Sequence, residues 1–370
     1  MKLQMKIVVM MLMVLCGLNA QDTVAREKRT MIPFDDKRIK YTGRFDLSNK
    51  MYASFAWSAC SVTVRFRGTS CAFTLCGDTE DNYVQIIVDG VPLAAERVRG
   101  TVSRISTPAL AEGEHVAVLF KRTEANQGVL RFTGIDLPGR AELLSPLPAK
   151  PLIEFVGDSI TCGYGNEAKG SDETFDPETE NAYLTYASLC ARKCFCECAT
   201  ICYSGKGIMR DYSGNTFEPM TELYGRVYPQ KKARFATERP ADLAVINLGT
   251  NDFATGAPDE ERFVAGYVNL ISQIRRNSPH APIVILDGPV MNNDWPFKGA
   301  LDLFRKYRER IIDRCERDGL GPVMPFPLST QGDLGFGADF HPSTAQHEKN
   351  ADELARFISE KNLLKKERAD

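Results

Sequence analysis

Four short segments of this chain carry residue types suited to acyl transfer, and the most informative is Phe155-Val156-Gly157-Asp158-Ser159-Ile160-Thr161. The aliphatic run Leu152 to Val156 reads as a short buried strand. Ser159 is therefore delivered at a strand's carboxyl end, where open α/β sheets place their ligands. A serine hydroxyl is a weak nucleophile at neutral pH and needs an adjacent base, and only four histidines are available. His115 precedes a strand, His280 sits in an Asn-Ser-Pro-His-Ala-Pro turn, and His347 falls inside the last helix. His341 stands in Gly337-Ala338-Asp339-Phe340-His341-Pro342-Ser343, a loop just ahead of that helix with a carboxylate two residues upstream, and suits a general base better.

Acyl transfer also needs hydrogen-bond donors aimed at the developing oxyanion. Val245-Ile246-Asn247-Leu248-Gly249-Thr250-Asn251-Asp252 ends a buried strand in a Gly-Thr turn that presents the Asn251 amide. Ser204-Gly205-Lys206-Gly207 follows the strand Glu197 to Tyr203 and offers a backbone N–H at Gly205, with Gly207 as a substitute; the third N–H is that of Ser159. Each piece alone has a plainer reading, as helix cap or permissive turn. Trp295, after the strand Ile283 to Leu286, is expected on the same rim as the serine. There its indole either binds substrate or packs a loop. The acidic stretch Glu167 to Glu180 reads as a solvated loop near Ser159.

Two halves of different period must position these residues. From Phe34 to Leu144 the apolar residues alternate, as in Val62-Thr63-Val64-Arg65-Phe66 and Val116-Ala117-Val118-Leu119-Phe120, and Asp89-Gly90 marks a hairpin. Short strands without a helix predict an all-β sandwich, jelly roll-like, over residues 34–145, with Trp57 in its core. Ser145-Pro146-Leu147-Pro148-Ala149-Lys150-Pro151 places three prolines in seven residues and marks the boundary. Over 150–365, buried strands alternate with helical stretches at Ala182 to Lys193, Asp259 to Asn277, Lys298 to Asp318 and Ser343 to Leu364. That alternation predicts a parallel sheet with helices on both faces.

Composition excludes other classes. The 370 residues are 43% apolar and 25% charged with a formal charge of −2, which fits neither a disordered tail nor a basic nucleic-acid binder. Residues 1–20 read as a signal peptide: Lys2 and Lys6, then Ile7 to Leu15, then Leu18-Asn19-Ala20 before Gln21. Secretion follows as the expectation. Leu15 before Cys16 argues against a lipoprotein, and the apolar stretch is too short to span a bilayer. Of the eleven cysteines, the group Cys190, Cys194, Cys196, Cys198 and Cys202 has no paired C-x-x-C and no nearby histidine. It reads as core packing rather than a metal site, with one disulfide as the lesser alternative. No metal or organic cofactor is signalled.

Taken in order, Gly157-Asp158-Ser159-Ile160-Thr161, Gly205, Gly249-Thr250-Asn251-Asp252 and His341-Pro342 resemble the first, second, third and fifth blocks of the SGNH, or GDSL-type, hydrolase superfamily, over roughly residues 150–365. The resemblance implies a flavodoxin-like α/β/α domain that hydrolyses esters through an acyl-enzyme. The superfamily's triad acid lies three residues before the histidine, where this chain has Ala338. Either Asp339 serves from a shifted loop, or a backbone carbonyl near Phe340 orients His341 in a Ser–His dyad. A β-sandwich ahead of such a domain, with Gly157-Asp158-Ser159-Ile160-Thr161-Cys162-Gly163-Tyr164-Gly165 and Asp339-Phe340-His341-Pro342-Ser343, is similar to carbohydrate esterase family 2. That implies removal of O-acetyl groups from a plant polysaccharide such as xylan or glucomannan. The alternatives are a lipase or thioesterase on other acyl esters, and a non-catalytic carbohydrate-binding protein.

Overall fold

The computed structural model describes residues 29–237 and 239–364; the expected signal peptide lies outside them. The alternating segments of the first half form two antiparallel sheets. One orders Arg29–Pro33, Leu130–Pro138, Ala72–Gly77 and Ser103–Ser106, with Ala53–Phe55 also on Leu130–Pro138. The other orders Glu142–Leu143, Ser61–Gly68, Gly113–Lys121, Asn82–Val88 and Val91–Val98, with Lys40–Thr42 on Ser61–Gly68. Period two does the work here: in Ser61–Gly68, Val62, Val64 and Phe66 are buried while Thr63, Arg65 and Arg67 are not. The first strand begins at Arg29, ahead of the expected start at Phe34. Asp89-Gly90 closes the two-residue hairpin between Asn82–Val88 and Val91–Val98.

After the prolines the chain builds a five-stranded parallel sheet from β1 (Leu152–Gly157), β2 (Glu197–Cys202), β3 (Leu243–Asn247), β4 (Ile283–Asp287) and β5 (Val323–Pro327). Its spatial order is β2-β1-β3-β4-β5, the flavodoxin-like order, with a topological switch point between β1 and β3. Alternate residues of the buried strands feed two apolar clusters. Ile153, Phe155, Val245, Val284 and Leu286 face α1 (Tyr186–Lys193) and α4 (Thr344–Glu360). Ala244, Ile246, Ile283 and Ile285 face α2 (Glu260–Asn277) and α3 (Ala300–Arg317). Helices therefore cover both faces. Asp259 caps α2 by accepting the Arg262 N–H at 2.9 Å, and Ser343 caps α4 by accepting the Gln346 N–H at 3.2 Å. Among the described residues no helix is long and apolar enough to cross a membrane.

Two elements lie outside the expectations from sequence. β5 carries Pro325 and Pro327, which disguise it, yet it sits at the sheet edge where a missing N–H is tolerated. A small hairpin, Arg226–Tyr228 with Lys231–Arg234, leans on the sandwich: the Val227 carbonyl accepts the buried Trp57 indole N–H at 2.7 Å. The ten cysteines among the described residues are all thiols, seven of them buried.

Candidate active site

β1 ends at Gly157, and Asp158 caps the helical turn Ser159–Cys162 by accepting the Ile160 N–H at 3.1 Å. The turn places Ser159 at the switch point, 7% exposed. From the other end of the chain, His341 Nε2 lies 2.8 Å from Ser159 Oγ, a contact between residues 182 positions apart. The opposite ring nitrogen, Nδ1, lies 3.1 Å from the carbonyl oxygen of Ala338. A carbonyl only accepts, so Nδ1 carries the proton and Nε2 is left as the acceptor facing the serine hydroxyl. Burial holds the imidazole below its ordinary pKa, opposed by the Ala338 and Asp339 backbone and the Asp339 charge, so the ring is neutral at pH 7 and ready to take a proton.

Asp339 is not brought onto His341. Its backbone is left-handed, φ 48°, and so is that of Phe340, φ 60°. This turns the Asp339 carboxylate to accept the Tyr164 hydroxyl at 2.9 Å and the Phe175 N–H at 3.1 Å. Of the two arrangements open from sequence, a backbone carbonyl occupies the orienting position, supplied by Ala338.

Asn251, in the turn Thr250–Phe253 after β3, has its amide nitrogen 3.0 Å from the Lys206 carbonyl and 3.3 Å from Asp158 Oδ2. Gly205, after β2, is left-handed at φ 77°, and a Cβ there would stand 2.9 Å from the Tyr212 ring. A side chain would push that ring away or break the turn. The next residues are strung on Asp252, whose carboxylate accepts the N–H groups of Ile208, Met209 and Arg210 at 2.8, 2.9 and 3.2 Å. Gly207 belongs to this scaffold, since a Cβ there would fall 2.2 Å from Asp252 Oδ2. Ser159, Gly205, Asn251 and His341 are thus gathered at the carboxyl ends of β1, β2 and β3 and the start of α4. Trp295 follows β4 and is 44% exposed, held in a turn where Asn292 Oδ1 accepts its N–H at 2.9 Å.

Comparison with known proteins gives the family. Residues 41–147 match the N-terminal domain of carbohydrate esterase 2, and residues 155–349 match the GDSL-like lipase/acylhydrolase family. An acetylxylan esterase / glucomannan deacetylase of Cellvibrio japonicus is 30% identical over 83% of this chain and 86% of its own length. The chain belongs to carbohydrate esterase family 2. With that family it belongs to the carboxylic ester hydrolases. The cellulase/esterase CelE of Acetivibrio thermocellus is 39% identical over 88% of this family 2 chain, which spans 40% of CelE's length. A solved family two carbohydrate esterase from Clostridium thermocellum, in complex with cellohexaose, superposes with a TM-score of 0.82 at 38% identity, covering 88% of this chain and all of that one.

Three contributors to this family 2 site had no recognisable signal in the sequence. Tyr164 stacks on the His341 ring, centroids 4.2 Å apart, and on Phe175 behind it, also 4.2 Å. The stretch carrying Phe175 is not merely solvated: Glu180 is buried, Glu167 pairs with Arg122 of the sandwich, and the Glu173 carbonyl accepts the Asp339 N–H at 3.1 Å. Glu124, also from the sandwich, reaches under the site and accepts the Ser204 N–H at 2.8 Å. Glu124, Glu180 and Cys162 stand within 4.8 Å of one another, the one grouping among the described residues with metal-ligand character. It is wholly buried beside the Lys121 ammonium, which already supplies a cation there.

Burial also raises two carboxylates: Asp158 to about 7, with Asp252 and Glu124 nearby adding to the shift, and Asp252 to about 6, against its three backbone donors.

Proposed function

We propose that this chain removes O-acetyl groups from plant-type polysaccharides, xylan or glucomannan, by a Ser–His acyl-enzyme mechanism. The observation that carries the reading is His341 Nε2 at 2.8 Å from Ser159 Oγ. As Ser159 Oγ bonds to the acetyl carbonyl carbon, its proton passes to Nε2, and the imidazolium formed is held through Nδ1 by the Ala338 carbonyl. The carbonyl oxygen, now negative, takes hydrogen bonds from the Ser159 and Gly205 N–H groups and from Asn251. The Lys206 carbonyl takes one amide hydrogen of Asn251, and the other, leaning on Asp158 at 3.3 Å, bifurcates toward the oxyanion. The intermediate collapses with cleavage of the bond to the sugar oxygen, which leaves with the proton from Nε2. Water then gives a proton to the same nitrogen as it bonds to the acetyl carbon; the bond to Ser159 Oγ breaks, Nε2 returns the proton to that oxygen, and acetate is released. Asp339 takes no proton in this scheme.

A sugar chain as leaving group fits the exposed aromatic residues around the site. Tyr212 lies over Gly205 and is 63% exposed, and Phe340 next to His341 is equally open. Trp295 offers a third flat apolar face beyond β4. Such rings bury the apolar face of a sugar while its hydroxyls stay hydrated. Export, proposed from residues 1–20, would bring the enzyme to a polymer that does not enter cells. The test compares wild type with Ser159→Ala on acetylated xylan, acetylated glucomannan and a long-chain ester, following acid release and thermal unfolding. Loss of acetate release in a folded variant, with the long-chain ester a poor substrate for wild type, is the expected result. Equal release by both proteins would sink the nucleophile, and preference for the long-chain ester would sink the substrate class.

A further inference from the structure

The Ala338 carbonyl fixes the tautomer of His341, but a single neutral acceptor at 3.1 Å restrains the ring plane weakly and stabilises an imidazolium less than a carboxylate would. Contacts on the ring faces must supply what is missing. One face is covered by Tyr164, whose ring lies 4.2 Å away at 30° to the imidazole. Tyr164 is itself held twice: Phe175 stacks on its far side at 4.2 Å and 28°, and its hydroxyl donates to Asp339 Oδ2 at 2.9 Å. The same carboxylate oxygen accepts the Phe175 N–H at 3.1 Å, so Asp339 locks the middle ring and the ring beyond it in a three-ring ladder whose inner ring is the imidazole. Two consecutive non-glycine residues, Asp339 and Phe340, are held in the left-handed region where the Asp339 carboxylate can reach these partners. Strain of that kind persists only when the surroundings enforce it, and it gathers at working sites.

We propose that Tyr164, anchored by Asp339 and Phe175, is the positioning residue of the general base. It fixes the plane of His341 toward Ser159 and stabilises the imidazolium through its π-face, so that Asp339, beyond the pull of its charge, acts on the base through an aromatic ring. A hydroxyl donating to a carboxylate leaves the ring richer in electron density, which favours a cation stacked on it. The inference rests on the reading of Ser159 and His341 as nucleophile and base.

The test uses the full chain with 4-nitrophenyl acetate, measuring kcat/KM against pH for wild type, Tyr164→Phe, Tyr164→Leu, Asp339→Asn and Ser159→Ala, with thermal unfolding of each. Tyr164→Phe keeps the stack and loses only the hydroxyl, and asparagine tolerates the left-handed backbone at 339, so these two guard against loss of fold. Expected for Tyr164→Leu is a ~10-fold fall in kcat/KM, together with an acid limb displaced to lower pH because the imidazolium has lost its partner. Tyr164→Phe and Asp339→Asn should move the same limb in the same direction by less. A merely structural role would lower the unfolding temperature and leave the limb in place. Unchanged kcat/KM and an unchanged limb in the folded variants, with Ser159→Ala inactive, would overturn this proposal alone. Full activity in Ser159→Ala would overturn the underlying mechanism and this proposal with it.

Discussion

Gly165→Ala probes how finely the His341 loop is set against the serine turn. Gly165 is left-handed at φ 52°, and a Cβ built on it falls 2.4 Å from Ala338 Cβ and 3.2 Å from the Ala338 nitrogen. Carbon atoms pack at about 3.5–4.0 Å, so the two segments must part by about 1 Å. They are joined there by the Ala338 N–H donating to the Gly165 carbonyl at 2.9 Å, and Ala338 is the residue whose own carbonyl orients His341. A shift of that size stretches the 2.8 Å contact between His341 and Ser159 beyond hydrogen-bond length. Misplacement by ~1 Å costs roughly 100-fold in rate, and the left-handed alanine adds about 1 kcal/mol of instability. Gly165→Ala should therefore fold, unfold a few degrees lower, and show ~100-fold lower kcat/KM on a small acetyl ester. Adding Ala338→Gly removes the methyl group that collides while leaving the backbone cost, so the double variant should recover most of the activity and little of the stability. A folded single variant with near wild-type kcat/KM, or a double variant no more active than the single one, would refute the placement of Ala338 against this turn.

Two pH dependences follow from the buried histidines. Because burial holds His341 below the ordinary 6.5, kcat/KM should still be above half its maximum at that pH and reach its half-maximal point only under more acid conditions; a half-maximal point at or above it would contradict the site. His347, buried in α4 and accepting the Tyr186 N–H on Nδ1 at 3.1 Å, is pushed down to about 3 by burial, with His341 nearby adding to the shift. The native state then binds fewer protons than the unfolded chain, so its contribution is present above 6.5 and lost as pH falls toward 3. Against His347→Asn, which keeps an acceptor near Tyr186, wild type should lose about 3 kcal/mol between pH 7 and pH 4 in urea unfolding. Measuring against the variant isolates this effect, because Asp158 and Asp252, with raised pKa values, work in the opposite sense over the same range. A stability difference independent of pH would show that His347 titrates normally.

The parts of this molecule that were legible in the sequence are those where one residue type has one physical consequence. β1, β3 and β4 read as strands because burial on both faces demands continuous apolar runs, and Asp259 and Ser343 announced helices because a cap needs an acceptor. Ser159 and His341 were legible because each stands at a strand or helix boundary with its partner segments in order. The Ala338 carbonyl was not, since every residue has one; only the displaced acid, Ala338 where the superfamily carries Asp, hinted at it. Tyr164 was hidden by distance, its hydroxyl partner Asp339 lying 175 positions away. The direction of the Asp339 side chain was hidden too, because it depends on a positive φ that the sequence Ala-Asp-Phe-His does not require.

Glu124 carries the same lesson into the division of labour between the two halves. It belongs to the sandwich, one turn beyond the strand Gly113–Lys121, yet it binds the Ser204 N–H immediately before Gly205, and the Cys162 thiol lies 3.7 Å from it. Its own N–H donates to Glu180 at 3.0 Å, so two buried acids meet under the serine turn, while the buried Lys121 ammonium bonds the Glu124 and Thr123 carbonyls at 3.0 and 2.8 Å. One ammonium cannot neutralise two carboxylates, and an uncompensated buried charge is prohibitive, so one acid keeps its proton; burial raises the pKa of both. The resulting network leaves little freedom to the loop that carries Gly205. The α/β half supplies every group that touches the ester in the proposed mechanism, but the height of the Gly205 turn above β2 is set from the sandwich. The two halves therefore build the proposed oxyanion side of the site together.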